Sequence, residues 1–192
     1  MIKLYYSNSK IYLTEQKNPS ESLGNFPSSS VVPNNYMSNL FSMISQLTIE
    51  NDTQEVIGVF LKNEEGVDIS DLTLYFDYPE NSQSKIEVAA VTPSQDSEGR
   101  HYIESIPNMN SLPYDATFYE ADGVENKVNL GDLEADAYLG LWFKRTLNSG
   151  LIKTCDELYT DFENDSTPEE VEDISLVFGW DEDESSSSSS SS

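Results

Sequence analysis

The sequence predicts an all-β protein built as an antiparallel β-sandwich, and three observations carry that expectation. Seven runs rich in β-branched and aromatic residues are bounded by Gly, Pro, Asn, Asp or Ser. One of them, Asp71 to Tyr78, alternates strictly, with Leu72, Leu74, Phe76 and Tyr78 on one face and Asp71, Thr73, Tyr75 and Asp77 on the other. That is the pattern of an antiparallel strand buried on one side. Finally, short polar turns rather than ten-residue helices separate the runs, which favours two packed sheets over a parallel α/β arrangement.

From the N-terminus, residues 2–13 divide into two short β runs around Ser7, Asn8 and Ser9, residue types that turns favour. They predict a hairpin or arm over residues 1–15. Isolated hairpins are marginal in water, so Leu4, Tyr6, Ile11 and Leu13 are expected to pack on the main domain or on a neighbouring subunit. Residues 16–35 are rich in Ser, Pro, Asn and Gly, with Pro19, Pro27 and Pro33 interrupting regular pairing. This composition predicts a linker or strap. Met37, Leu40, Phe41, Ile44 and Leu47 then recur at spacings of three or four, predicting one short amphipathic helix.

The sandwich domain is expected over residues 36–180, with strands over 55–62, 71–78, 85–91, 100–105, 116–121, 138–147 and 173–180. A turn containing Gly131 and Asp132 is expected to feed the longest strand, in which Ala137, Leu139, Leu141 and Phe143 alternate with Tyr138, Gly140, Trp142 and Lys144. Trp142 has two readings: an aromatic at a subunit contact, where such residues are enriched, or the filler of the sandwich core. Residues 181–192 form an acidic, serine-rich tail with nothing to bury, expected to be disordered.

Composition bounds the function classes. The 192 residues suit one domain with appendages. Only 10 Lys and Arg face 35 Asp and Glu, for a formal charge of −25. Scattered cations argue against direct binding of nucleic acid, which requires several of them together. The acidic balance favours cationic partners. The longest strongly apolar stretch, near residues 137–143, is far short of the ~18 residues that a membrane helix needs. With Cys155 as the one cysteine, no intramolecular disulfide forms, and folding in a reducing cytoplasm is expected.

Candidate chemistry is sparse. His101 is the one histidine, so it would have to serve as general base for any serine or for Cys155. A histidine at a strand edge is the plainer reading. Carboxylates around Cys155 disfavour its thiolate, and one Cys with one His cannot close a structural zinc site. Asp161, Glu163, Asp165, Thr167, Glu169 and Glu172 fall at positions 1, 3, 5, 7, 9 and 12 of a twelve-residue loop, the spacing of a calcium-binding EF-hand. Position 6 is Ser166 where the turn demands Gly, and the simpler explanation is that Thr167 with Pro168 and Glu170 marks the start of a helical turn. Asp161, Glu163, Asp165 and Glu172 therefore stand as a weak calcium candidate. Glycine-rich phosphate loops are absent, and no cofactor is expected.

Three segments carry a resemblance: Asn34 to Phe41 followed by Val56 to Asn63, Leu130 to Leu133 flowing into Leu141 to Arg145, and Ile174 to Trp180. Across residues 34–180 the chain resembles a diffuse group of virion structural proteins of tailed bacteriophages. The resemblance implies an immunoglobulin-like or related β-sandwich at the capsid, neck or tail, without catalytic residues. It also implies synthesis in the bacterial host cytoplasm, other virion proteins as partners, and a homo-oligomer or symmetric assembly in which residues 1–33 strap onto neighbours. An alternative from another class is a calcium-assisted carbohydrate-binding or adhesion module using Tyr114, Tyr119 and Trp142 as its platform. A third, a small hydrolase working with two acids, has no particular pair of carboxylates to favour it.

Overall fold

The computed structural model describes residues 1–8, 10, 12–16, 18–33, 37–41, 54–79, 82, 84–147 and 174–181. The strands are β1 (Ile2–Asn8), β2 (Gly24–Val31), β3 (Gln54–Asn63), β4 (Ile69–Asp77), β5 (Ser84–Val91), β6 (Ser94–Gln95), β7 (His101–Ser105), β8 (Tyr119–Glu120), β9 (Val128–Leu133), β10 (Tyr138–Leu147) and β11 (Ser175–Asp181). They form an eight-stranded sheet ordered β6-β7-β2-β1-β3-β10-β5-β8 and a three-stranded sheet ordered β11-β4-β9. All pairings between named strands are antiparallel. The expected all-β class with two packed antiparallel sheets is the observed one.

Register explains the principal core. Residues directly opposite across an antiparallel pair share a face, so Tyr6, Val59 and Leu141 form one row, and Ile57, Phe143 and Val88 another. These rows meet Leu72, Leu74 and Phe76 of β4 and Leu176 of β11 in a single buried cluster. The alternation of β4 holds, with Leu72, Leu74 and Phe76 buried and Asp71 and Asp77 in water. Phe76 lies edge-on to Phe143, their ring centroids 5.7 Å apart. The chain leaving β8 crosses between the sheets at buried Ala121, whose carbonyl accepts the Phe76 N–H at 2.7 Å.

The opposite face of the large sheet is also covered. Ile103 of β7 lies so close to β10 that a Cβ on Gly140 would stand 2.5 Å from its Cγ2. Four strand steps separate β7 from β10 in the sheet order, roughly 19 Å if the sheet were flat. The β6-β7 end therefore curls over the outer face. A second cluster fills the space, comprising Val56, Phe60, Ala89, Ile103, Ile106 and Trp142. Consequently β3 is buried at six consecutive positions, Val56 to Leu61.

Three expectations are corrected. Residues 2–13 are not a hairpin turning at Ser7: β1 runs through to Asn8, and the Asn8 side chain ties down Lys10 and Thr14 while the chain reverses near Leu13. Residues 16–35 are not a linker throughout, because Gly24–Val31 is a strand paired with β1. Pro27, which has no N–H to donate, lies opposite Ser7 of β1, and its carbonyl accepts the Leu13 N–H at 3.0 Å. Gly131 and Asp132 belong to β9 instead of a turn, with Gly131 at φ +80° where the ladder to β4 shifts register. Met37–Asn39 form a 3₁₀ turn. Leu40 and Phe41 follow it as buried turn residues, and residues 42–47 of the expected helix lie outside the described residues, as does the tail from 182 on.

Candidate functional site

The residues singled out as interface candidates do not form a surface. Leu4 and Tyr6 sit in the principal core, and the Tyr6 hydroxyl donates to the Asn39 carbonyl at 2.7 Å. Burial pushes the Tyr6 phenol above its ordinary pKa. Leu13 is exposed and held by Pro27, while Ile11 lies outside the described residues. Trp142, 1% exposed, belongs to the second core, so of its two sequence readings the core filler is the observed one. Interior side chains are out of reach of a neighbour, and the physical cause is the insertion of β1 between β2 and β3, which makes an expected arm into a central strand.

Trp142 occupies a niche that glycine creates. It is directly opposite Gly58 on β3, and a Cβ there would be 2.8 Å from the indole. Gly24, at φ +88°, also underlies the ring, and a Cβ on it would run into the Glu104 carbonyl as well. Beside this niche lies a hydrogen-bonded chain. Ser22 Oγ donates to the Gly58 carbonyl at 2.7 Å and accepts the Ser7 N–H at 2.7 Å; Ser7 Oγ accepts the Gly24 N–H at 2.8 Å. Both serines are fully buried, and their hydroxyls lie 3.2 Å apart. With Ser22 donating to the carbonyl, the Ser7 hydroxyl has its proton free for Ser22.

The carbohydrate platform is not assembled. Tyr119 is opposite Val88 and shares its face, whereas Trp142 is opposite Ala89 and points the other way. Tyr114 stands in water on the segment between β7 and β8, its N–H donating to Glu104 at 2.7 Å. The calcium candidates Asp161, Glu163, Asp165 and Glu172, and Cys155, lie outside the described residues. Among the described residues no group of three His, Cys, Asp or Glu is placed to hold a metal ion. His101 has its Nε2 3.3 Å from the Gln95 amide and its ring beside Tyr138, centroids 5.3 Å apart. Its Nδ1 is buried and has no hydrogen-bond partner among the described residues.

Several carboxylates are committed to ion pairs. Glu64 meets Lys3 at 2.7 Å, Lys62 at 3.8 Å and the Tyr5 hydroxyl. The Lys3 contact first, and the Tyr5 hydrogen bond next, hold the Glu64 carboxyl below the ordinary range, while burial and the same carboxylate push the Tyr5 phenol upward. Glu87 pairs with Lys144 at 2.5 Å, and Lys144 lies 4.9 Å from the centroid of Phe118. Arg145 pairs with Glu55 and lies 4.9 Å from the Phe41 centroid. Asp96 accepts from the Arg100 backbone and side chain, which depresses its carboxyl.

Two acidic depressions differ in whether a cation lines them. The first, about 360 Å³, lies where β5 meets β8; Tyr78, Ile86, Glu120 and Asp122 line it, and Lys85 within it is bonded to Glu120. That bond raises the Lys85 pKa. The second, about 270 Å³, lies between the β5-β6 turn, β7 and residues 113–116. Its apolar floor includes Val91, Ile103 and Trp142, and its polar lining includes Tyr102, Glu104 and Asp115. Sequence reasoning missed this place because it depends on the curl of β7 over the sheet. Gly58 and Gly140 inside strand patterns were the available signals, since such glycines mark close approaches.

Comparison of the chain with protein-family models, with curated proteins and with solved structures finds no match.

Proposed function

We propose that this chain is a non-enzymatic structural protein of a tailed-phage virion, an immunoglobulin-like sandwich that joins other virion proteins in the capsid, neck or tail. The resemblance over residues 34–180 supplies the virion context. The observation that carries the adhesive role is where large apolar side chains are left in water. Leu112 is 53% exposed and Tyr114 89% exposed beside the second depression, Tyr119 57% exposed on the edge strand β8, and Trp180 39% exposed on the edge strand β11. Aromatic residues are enriched in protein-protein interfaces, whereas the buried polar groups described above hold the fold together. Synthesis in the host cytoplasm and a symmetric assembly belong to the same proposal.

Light scattering and negative-stain microscopy test it on the purified chain, alone and mixed with the products of neighbouring genes. Rings, defined oligomers or stoichiometric complexes are the expected outcome. A chain that stays monomeric and joins none of those products contradicts the proposal, as does turnover of a substrate abolished by changing one carboxylate.

A further inference from the structure

We propose that the second depression receives one basic side chain, a lysine or arginine, from a partner protein other than a copy of this chain. The inference deepens the assembly reading and rests on it. The argument begins with the first depression, where the fold fills an equivalent place itself: Lys85 bonds Glu120 in a hollow that also contains Asp122. The second depression has the same ingredients apart from the cation. Glu104 and Asp115 line it, no Lys or Arg does, and among the described residues neither carboxylate is ion-paired.

Shape and chemistry agree on the occupant. A volume of about 270 Å³ has room for one long side chain. A lysine or arginine lays its aliphatic stem on apolar surface and keeps its charged head at the polar rim. Val91, Ile103 and the buried Trp142 provide that surface, Tyr102 adds an aromatic group able to attract a cation, and Glu104 with Asp115 provides the counter-charge. The Tyr114 N–H already fixes one Glu104 oxygen at 2.7 Å, so that carboxylate is oriented before any partner arrives.

The charge balance identifies the source. Of the chain's ten cations, Lys3, Lys62, Lys85, Arg100, Lys144 and Arg145 are each engaged within the chain, so a second copy has few to offer this pocket. A basic loop or terminus of a different protein meets no such obstacle.

The test uses the full chain carrying Trp180→Phe, which leaves Trp142 as the one tryptophan, and agmatine as the guanidinium probe. A saturable change in Trp142 emission with agmatine, and none with neutral butylurea, is expected. Glu104→Gln with Asp115→Asn should weaken the agmatine response about tenfold, while Glu21→Gln with Glu125→Gln, an equal change of net charge at exposed positions elsewhere, should leave it unchanged. No saturable response, or equal weakening in both pairs, overturns the proposal. Complex formation with neighbouring gene products separates the two levels. If the unsubstituted chain and the Glu104/Asp115 variant form complexes equally well, the pocket inference fails and the assembly reading stands. If the unsubstituted chain forms no complex, the pocket inference fails, and if it also stays monomeric, the assembly reading itself fails.

Discussion

The large sheet has two dry faces that are built by opposite means. Toward β4, β9 and β11 the packing is mostly of large side chains against one another, Phe76 on Phe143 and rows of Leu, Ile and Val, with β4 keeping a clean two-residue alternation. Toward β7 a single large ring, Trp142, lies on glycines at 24 and 58, and a chain of serine hydrogen bonds fixes the backbone around it. The first face tolerates exchange of one apolar shape for another of similar volume. The second depends on the absence of atoms at defined places. A hydrophobic pattern announces the first kind of core, while the second kind is announced only by where glycine interrupts it.

Both faces share β1, and the largest expected effect follows from that. Deleting residues 1–33 removes β1 and β2 from the interior of the eight-stranded sheet, so circular dichroism and thermal melting should show loss of cooperative folding. A folded, cooperative remainder would restore the picture of a detachable arm. Next, Phe143→Ala should cost about 3–5 kcal/mol in urea unfolding, the usual range for a fully buried aromatic.

Gly58→Ala should cost about 1–3 kcal/mol, because the added methyl meets the indole ring 2.8 Å away. Trp142→Phe in the same chain should recover part of that loss. A double-mutant cycle without coupling would show that the ring moves aside freely. Ser22→Ala should cost about 1–3 kcal/mol by leaving the Gly58 carbonyl and the Ser7 N–H buried without this partner.

The smallest effect is electrostatic and has a defined sign. Because Lys3 and the Tyr5 hydroxyl lower the Glu64 carboxyl in the folded chain, its contribution to stability is complete above the ordinary glutamate pKa of about 4.3 and is lost as the pH falls through the lower folded value. Glu64→Gln should therefore flatten the acid limb of the stability curve measured by urea unfolding at stepped pH. An unchanged limb would mean that the Lys3 contact is not maintained in solution.

Much of the architecture was legible because alternation and turn residues mark strands locally. The run from Tyr138 to Leu147 was placed with the ends that it has in the structure, and the buried set Leu72, Leu74 and Phe76 followed from spacing alone. The N-terminal third was misjudged for a physical reason. Gly24 to Val31 contains three serines, a proline and an asparagine, and its strand conformation comes from long-range pairing with β1 rather than from propensity. The candidate site was less legible still. Glu104, Asp115 and Trp142 are distant in sequence and join only because β7 curls over β10.

The claim that contacts rather than turnover define this molecule is tested most directly by locating it. Under the proposed virion role, mass spectrometry and immunogold labelling of purified tailed-phage particles whose genome carries the coding sequence should find it in fixed copy number at one discrete position. Its presence in infected-cell extract but absence from particles would contradict the account.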